Sequence, residues 1–207
     1  MTFELAIMLV TVAAYLIGSV SFAIVVSRVR GLADPRSYGS NNPGATNVLR
    51  SGDKIAAALT LLGDAAKGLV VVLVASTWAR SALPEQLQVT AIAACAFAVF
   101  LGHLFPVYFR FQGGKGVATA FGVLLALDPM LGLITGAVWL IVARLMRISS
   151  LAALTAAITA PVVTLWRHDL GVMFWSVLAI AVLLVIRHKK NITQLLAGEE
   201  KAFKKKS

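Results

Sequence analysis

Tyr38 to Arg50 read YGSNNPGATNVLR, a run of small polar residues, glycine and proline ending on an arginine. Ser40, Asn41, Asn42, Thr46 and Asn47 supply hydrogen-bond donors, Gly39 and Gly44 let the backbone approach a ligand, and Arg50 offers a planar fork for phosphate or carboxylate. The plain reading is a loop with Asn42 or Thr46 as N-cap and Pro43 opening a helix. A second stretch, FQGGKG, sets Gly113, Gly114 and Gly116 around Lys115 just before an apolar run. Successive N–H groups, a helix N-terminus and the ammonium together make an anion seat. Val117 stands where a Walker A loop needs Ser or Thr for magnesium, so this is no nucleotide loop; the plain alternative is a glycine turn with a snorkelling lysine. The third, RHKKNITQLLAGEEKAFKKK from Arg187, puts His188 and Asn191 three residues apart on one helical face. His188 there is a general base or, more plainly, a satisfied interfacial residue. Glu199 and Glu200 are expected to pair with nearby bases, and the tail is ordinary basic sequence beside an anionic leaflet.

The rest of the chain must hold these stretches in an apolar solvent. Of 207 residues 59% are hydrophobic and 14% charged, and the mean hydropathy is +0.86, outside the range of a soluble domain. A helix needs about 20 apolar residues to cross a bilayer. Leu5–Val26, Ile55–Trp78, Leu87–Phe105, Leu151–Trp166 and Leu170–Ile186 read as spans, with two shorter candidates, Val117–Leu127 and Met130–Ala143. If all seven cross, sixteen of the nineteen Lys and Arg fall on one side, in 27–54, 105–116, 144–150 and 187–207, with Glu4, Glu85, Asp128 and Asp169 opposite. Positive-inside bias then places the N-terminus outside and the C-terminus in the cytoplasm. Glu4 in place of a basic start makes the first segment an anchor rather than a removable signal. A re-entrant hairpin of the two short segments gives five crossings, but its tip would carry Asp128 into hydrocarbon at about 2.5–3.5 kcal/mol. Seven is therefore expected. Val117–Leu127 measures only about 17 Å as a helix, which sets the FQGGKG loop deep. The expectation is an all-α, polytopic membrane protein of one domain, 1–207, with its polar stretches (36–54, 105–117, 187–201) on one cytoplasmic face.

Five further positions follow. Asp64 and Lys67, inside a span, are spaced for a mutual ion pair that supports packing or the site. His103 ends the third span and fixes the glycine loop. His168 faces the other side, solvated. The lone Cys95 lies in an apolar run and packs, excluding a disulfide framework. Neither a metal nor another cofactor is demanded, and the placement of charge points to a membrane surface and not to nucleic acid.

Together YGSNNPGATNVLR, GHLFPVYFRFQGGKGVAT and RHKKNITQLLAGEEK, with GDAAKG, resemble in order and spacing the motifs of the bacterial acyl-phosphate:glycerol-3-phosphate acyltransferase family. Gln112 stands where lysine is commoner, which would weaken substrate attraction without removing the loop. The resemblance implies an inner-membrane enzyme of seven spans that moves an acyl group from acyl phosphate to the sn-1 hydroxyl of glycerol 3-phosphate. The products are lysophosphatidic acid and inorganic phosphate, at the first step of phospholipid synthesis. It implies substrate binding and catalysis by Ser40, Arg50, the Gly113–Gly116 loop with Lys115, and His188 with Asn191. The enzyme that makes acyl phosphate becomes a candidate partner. An activated donor needs no covalent intermediate. The chain has no G-x-S-x-G elbow, and five positions after His103, His168 and His188 stand Tyr108, Met173 and Thr193, so no His-x4-Asp pair exists for acyl-CoA chemistry. The rival is a small carrier of a phosphate-bearing anion, against which stand the absent internal repeat and the one-sided polar stretches.

Overall fold

The computed structural model describes residues 2–200 and 202, which form helices α1 (Phe3–Gly18), α2 (Phe22–Val29), α3 (Ala45–Val48), α4 (Lys54–Ala82), α5 (Glu85–Leu104), α6 (Val117–Leu127), α7 (Pro129–Met146), α8 (Ser149–Arg167), α9 (Val172–Arg187) and α10 (Lys189–Leu196). No strand occurs among the described residues. Lys201 and the Lys204–Lys206 tail lie outside them.

The span read as Leu5–Val26 is a bent pair, and a second bend follows directly on the span read as Leu170–Ile186. α1 and α2 meet at 42° around Ser19–Ser21, and α9 and α10 at 60° around His188. The first break has a local cause: the Ser19 hydroxyl donates to the Tyr15 carbonyl (2.9 Å), the back-bonding that loosens a helix ladder. α4, α5, α7 and α8 are each long and apolar enough to cross a bilayer alone, and six spans result if each bent pair is one. The eleven-residue α6 is the short piece.

Small residues let these helices touch. A Cβ on Gly122 would come 2.0 Å from the Ala65 carbonyl oxygen, and one on Gly68 2.4 Å from that of Thr119, so α6 lies backbone-to-backbone on α4. Gly18 and Gly102 bring α1 onto α5 in the same way. In lipid, where apolar contact with neighbours gains little over contact with acyl chains, such close approach supplies the packing energy. Phe100, Leu104, Val72, Val99 and Val123 fill the centre, while Leu133, Leu140, Leu145, Ile158 and Val162 face outward, as a lipid solvent permits.

α8 acts as a ruler between two polar ends. At its start the Ser149 hydroxyl lies 3.3 Å from that of Thr46, and the Ser150 hydroxyl donates to Glu200 (2.6 Å). At its finish Arg167 and His168 donate to Asp128 at the α6–α7 corner (2.5 and 2.8 Å). The two ends are about 27 Å apart at 1.5 Å per residue, close to the thickness of a hydrocarbon core. Two expectations change here. Asp128 is buried without being an unpaired charge, because protein partners surround it and it caps α7 through the Met130 and Leu131 amides. His168 is only partly exposed and engaged by that carboxylate, not freely solvated.

Candidate active site

The first polar stretch folds around Asn47. This side chain is 1% exposed; its amide donates to the Pro35 and Tyr38 carbonyls (2.6 and 3.1 Å) while its oxygen accepts the Ser40 N–H (3.0 Å). Asn47, expected among the phosphate-binding groups, has its donors and acceptor engaged inside the loop, which it ties into shape. Gly39, at φ +62°, packs so near that a Cβ would lie 2.2 Å from the Asn47 oxygen. Ser40 is left half-buried with only its backbone engaged, and Arg50 is exposed with no ion pair among the described residues. The Asn42 carbonyl accepts the Gly44 N–H (2.9 Å), closing the turn before α3. Thr46, facing Ser149, links this loop to α8.

The glycine loop leans on the end of α5. Gly114 donates its N–H to the His103 carbonyl (3.1 Å), as expected of a histidine that fixes the loop. That donor is consequently lost to the anion nest the sequence pattern suggested. A Cβ at Gly113 would strike the His103 and Leu104 carbonyls, and one at Gly114 would lie 2.2 Å from His103 Nε2, so both positions admit only glycine. Gly116 takes φ +86° to swing the chain into α6. From α9, the Arg187 guanidinium donates to the carbonyls of Gly113 (2.8 Å) and Gly114 (3.1 Å) and lies over the Phe105 ring.

Lys115 donates to the Asn191 side-chain oxygen (2.5 Å), and the Asn191 amide donates to Glu200 (2.6 Å). Glu200 binds the neutral Asn191 and Ser150 directly and has no ion pair among the described residues. Burial depresses the Lys115 ammonium most. The Glu200 carboxylate opposes this and the cations Arg50, Arg187 and Lys190 reinforce it, leaving a pKa of about 8. His188 is 2% exposed and lies at the α9–α10 bend. Its Nδ1 sits 2.8 Å from the Leu184 carbonyl, a contact that requires a proton on Nδ1 and leaves Nε2 as a free base.

All three stretches line one cavity of about 350 Å³: Asn41 and Pro43 from the first, Phe111, Gln112 and Gly113 from the second, Arg187 from the third. Arg36, which sequence reading passed over, completes it; its guanidinium is shared with Asp34 (2.7 Å) and lies over Phe109. Ser40, Arg50, Lys115, His188 and Asn191 are not in these walls. Lys115 and Asn191 bond to each other, and His188 is the chain neighbour of the wall residue Arg187. Ser149 and Ser150 were also missed as parts of this end. Their only signal was their place directly after or within basic runs on the same face.

The fold and this end define a class: a multi-pass helical membrane protein with a cationic, glycine-walled recess at one end of its bundle. The family described as "Glycerol-3-phosphate acyltransferase" matches residues 8–198. Glycerol-3-phosphate acyltransferases of Burkholderia pseudomallei (strain 1710b) and Burkholderia orbicola (strain MC0-3) are 62% and 61% identical over 197 residues, which is 94% of this chain and 94% and 91% of theirs. Two crystal structures of PlsY (YgiH), an integral membrane glycerol 3-phosphate acyltransferase, in its glycerol 3-phosphate and lysophosphatidic acid forms, superpose with TM-scores of 0.88 and 0.86 at 35% and 34% identity, each covering 96% of both chains. The chain belongs to the glycerol-3-phosphate acyltransferase family.

Proposed function

We propose that this protein transfers an acyl group from acyl phosphate to the sn-1 hydroxyl of glycerol 3-phosphate at the cytoplasmic face of the inner membrane. The observation that carries the reading is the meeting of three distant stretches at the recess walled by Arg187, with Lys115 bound to Asn191 of the third stretch and apolar helices beneath to take an acyl chain. The family membership and the two PlsY forms support acylation of glycerol 3-phosphate.

Each cation within about 4 Å of a phosphate contributes about 4 kcal/mol gross at an effective dielectric of 20, before desolvation. Arg50 and Lys115 supply that grip, with Ser40, Asn42, Thr46 and the Gly113–Gly116 loop shaping the seat. The sn-1 oxygen attacks the acyl carbonyl carbon, the carbonyl-carbon to phosphate-oxygen bond breaks, and inorganic phosphate departs. The hydroxyl proton passes to His188 Nε2 or to a phosphate oxygen that His188 orients. Asn191 holds the Lys115 ammonium in place. Seven crossings fit this scheme: the α6–α7 corner stands about one hydrocarbon thickness from the site, so α6 serves as a short crossing below a deep glycine loop. The N-terminus then lies outside.

The test is to incubate pure protein with glycerol 3-phosphate and, in parallel, acyl phosphate, acyl-CoA or acylated carrier protein. Lysophosphatidic acid and phosphate formed from acyl phosphate alone is the expected result. Turnover of a thioester donor, or vectorial uptake of glycerol 3-phosphate without product, overturns the reading.

A further inference from the structure

The most costly charges in this molecule lie outside the recess. Asp64 and Lys67, one helical turn apart on α4, are 2% and 5% exposed in the middle of an otherwise apolar bundle. Lys67 Nζ lies 2.9 Å from Asp64 Oδ1, donates to the Val20 carbonyl (2.7 Å) and meets His103 Nδ1 at 3.0 Å. The ammonium thus faces a carboxylate, a backbone carbonyl and an imidazole nitrogen. Val20 is the residue at the α1–α2 break, and Asp64 is tied through its own carbonyl to the Thr119 hydroxyl of α6 (3.0 Å). The nitrogen therefore joins α4, α5 and the α1–α2 break, and the Asp64 carbonyl adds α6.

A pair serving only to hold helices together would be outdone by apolar side chains of similar volume, because desolvating two ions cancels much of their attraction. What apolar replacements cannot supply is a fixed histidine. Nδ1 of His103 faces both members of the pair, 3.0 Å from Lys67 Nζ and 3.4 Å from Asp64 Oδ1, and its Nε2 edge lies against Gly114, whose N–H is bound by the carbonyl of the same histidine. Gly114 and Gly113 are gripped from the other side by Arg187. The glycine loop is clamped between two side chains, one set by α9 and the other by this buried pair.

We infer that Lys67, held by Asp64, is a positioning residue that acts through His103 on the Gly113–Lys115 loop and so sets the geometry of its phosphate seat. The inference rests on the phosphate-seat reading above. A loop displaced by about 1 Å costs up to about a hundred-fold in a positioned reaction.

The decisive protein is the charge-neutral double variant Asp64→Leu/Lys67→Met, which removes the relay without stranding a buried charge. Saturation curves are measured for glycerol 3-phosphate and acyl phosphate in the purified variant, in Lys115→Ala, and in the two combined. The expected result is a rise of about ten- to a hundred-fold in the apparent KM for the same substrate that Lys115→Ala affects, with no further rise when the two are combined. An unchanged KM with a lowered melting temperature, or losses that multiply fully, overturns the inference. Should the double variant not fold, His103→Leu keeps the Asp64–Lys67 pair and breaks only the link to the loop. It must raise the same KM, and a wild-type saturation curve overturns the inference equally. Lys115→Ala with an unchanged curve defeats the phosphate-seat reading; an altered Lys115→Ala beside silent relay variants defeats only this one.

Discussion

The two ends of α8 carry charged clusters built to opposite plans. At the far end Asp128 is saturated: Arg167, His168 and two backbone amides converge on one carboxylate, and no cation is left over. At the near end cations outnumber their partners. Lys115 holds a neutral amide, Arg50 has no ion pair among the described residues, and Glu200 is engaged by Asn191 and Ser150. A saturated cluster stabilises a corner, whereas an unsaturated one retains attraction for an incoming anion. On the proposed function, the contrast separates a structural charge from a functional one better than burial does, since Asp128 and His188 are both nearly inaccessible.

The sharpest way to break this contrast is at the near end. His188→Gln in purified protein is expected to lower kcat by about a hundred-fold or more while the melting temperature stays within a few degrees, as befits a positioned proton-transfer group. Near-normal turnover removes His188 from the chemistry. Lys115→Ala should raise the apparent KM for glycerol 3-phosphate by about ten- to a hundred-fold, in line with the loss of one charged contact.

The same lysine gives a pH signature. Because its ammonium titrates near 8, glycerol 3-phosphate should bind uniformly between pH 7 and the onset of that titration and weaken as pH rises through it. Lys115→Arg, which stays charged, should flatten the profile, and a profile unaltered by the substitution assigns the titration elsewhere.

The smallest effect on activity is expected at the far end. Burial resists ionisation of Asp128, but the hydrogen bonds from Arg167, His168, Met130 and Leu131 outweigh it and hold the carboxyl at about 2. A depressed carboxyl contributes stability that is present above its unfolded pKa, near 4, and is lost as pH falls toward 2. Asp128→Asn should therefore cost about 1–3 kcal/mol at neutral pH, read as a lower melting temperature, with the KM of the surviving protein unchanged. A shift in KM would show that the two ends are coupled.

Much of this was legible in the residues. Apolar runs of span length announce helices because lipid forces every backbone group into an internal hydrogen bond, and glycine with lysine ahead of an apolar helix announces an anion seat because backbone amides and charge act over one or two residues. The Asp64–Lys67 pair was readable from its spacing alone. The internal role of Asn47 was not. An asparagine amid donors looks like a ligand until the Pro35 and Tyr38 carbonyls, twelve and nine residues away, are seen to take its hydrogens. Arg36, Ser149 and Ser150 were hidden for a related reason: nothing near them in the chain says that they face a recess.

Sequence by itself determined the solvent, the helical class, the break-prone polar stretches and the chemistry each could offer, since these depend on side-chain type and short-range spacing. Only the tertiary structure decided which polar groups are consumed and which remain open. Hydrogen-bond saturation is a property of pairs: Asp128 meets its partners from 39 and 40 residues away, and Lys115 meets Asn191 from 76. Such pairings are fixed by the packing of helices against one another, which no local pattern of residues encodes.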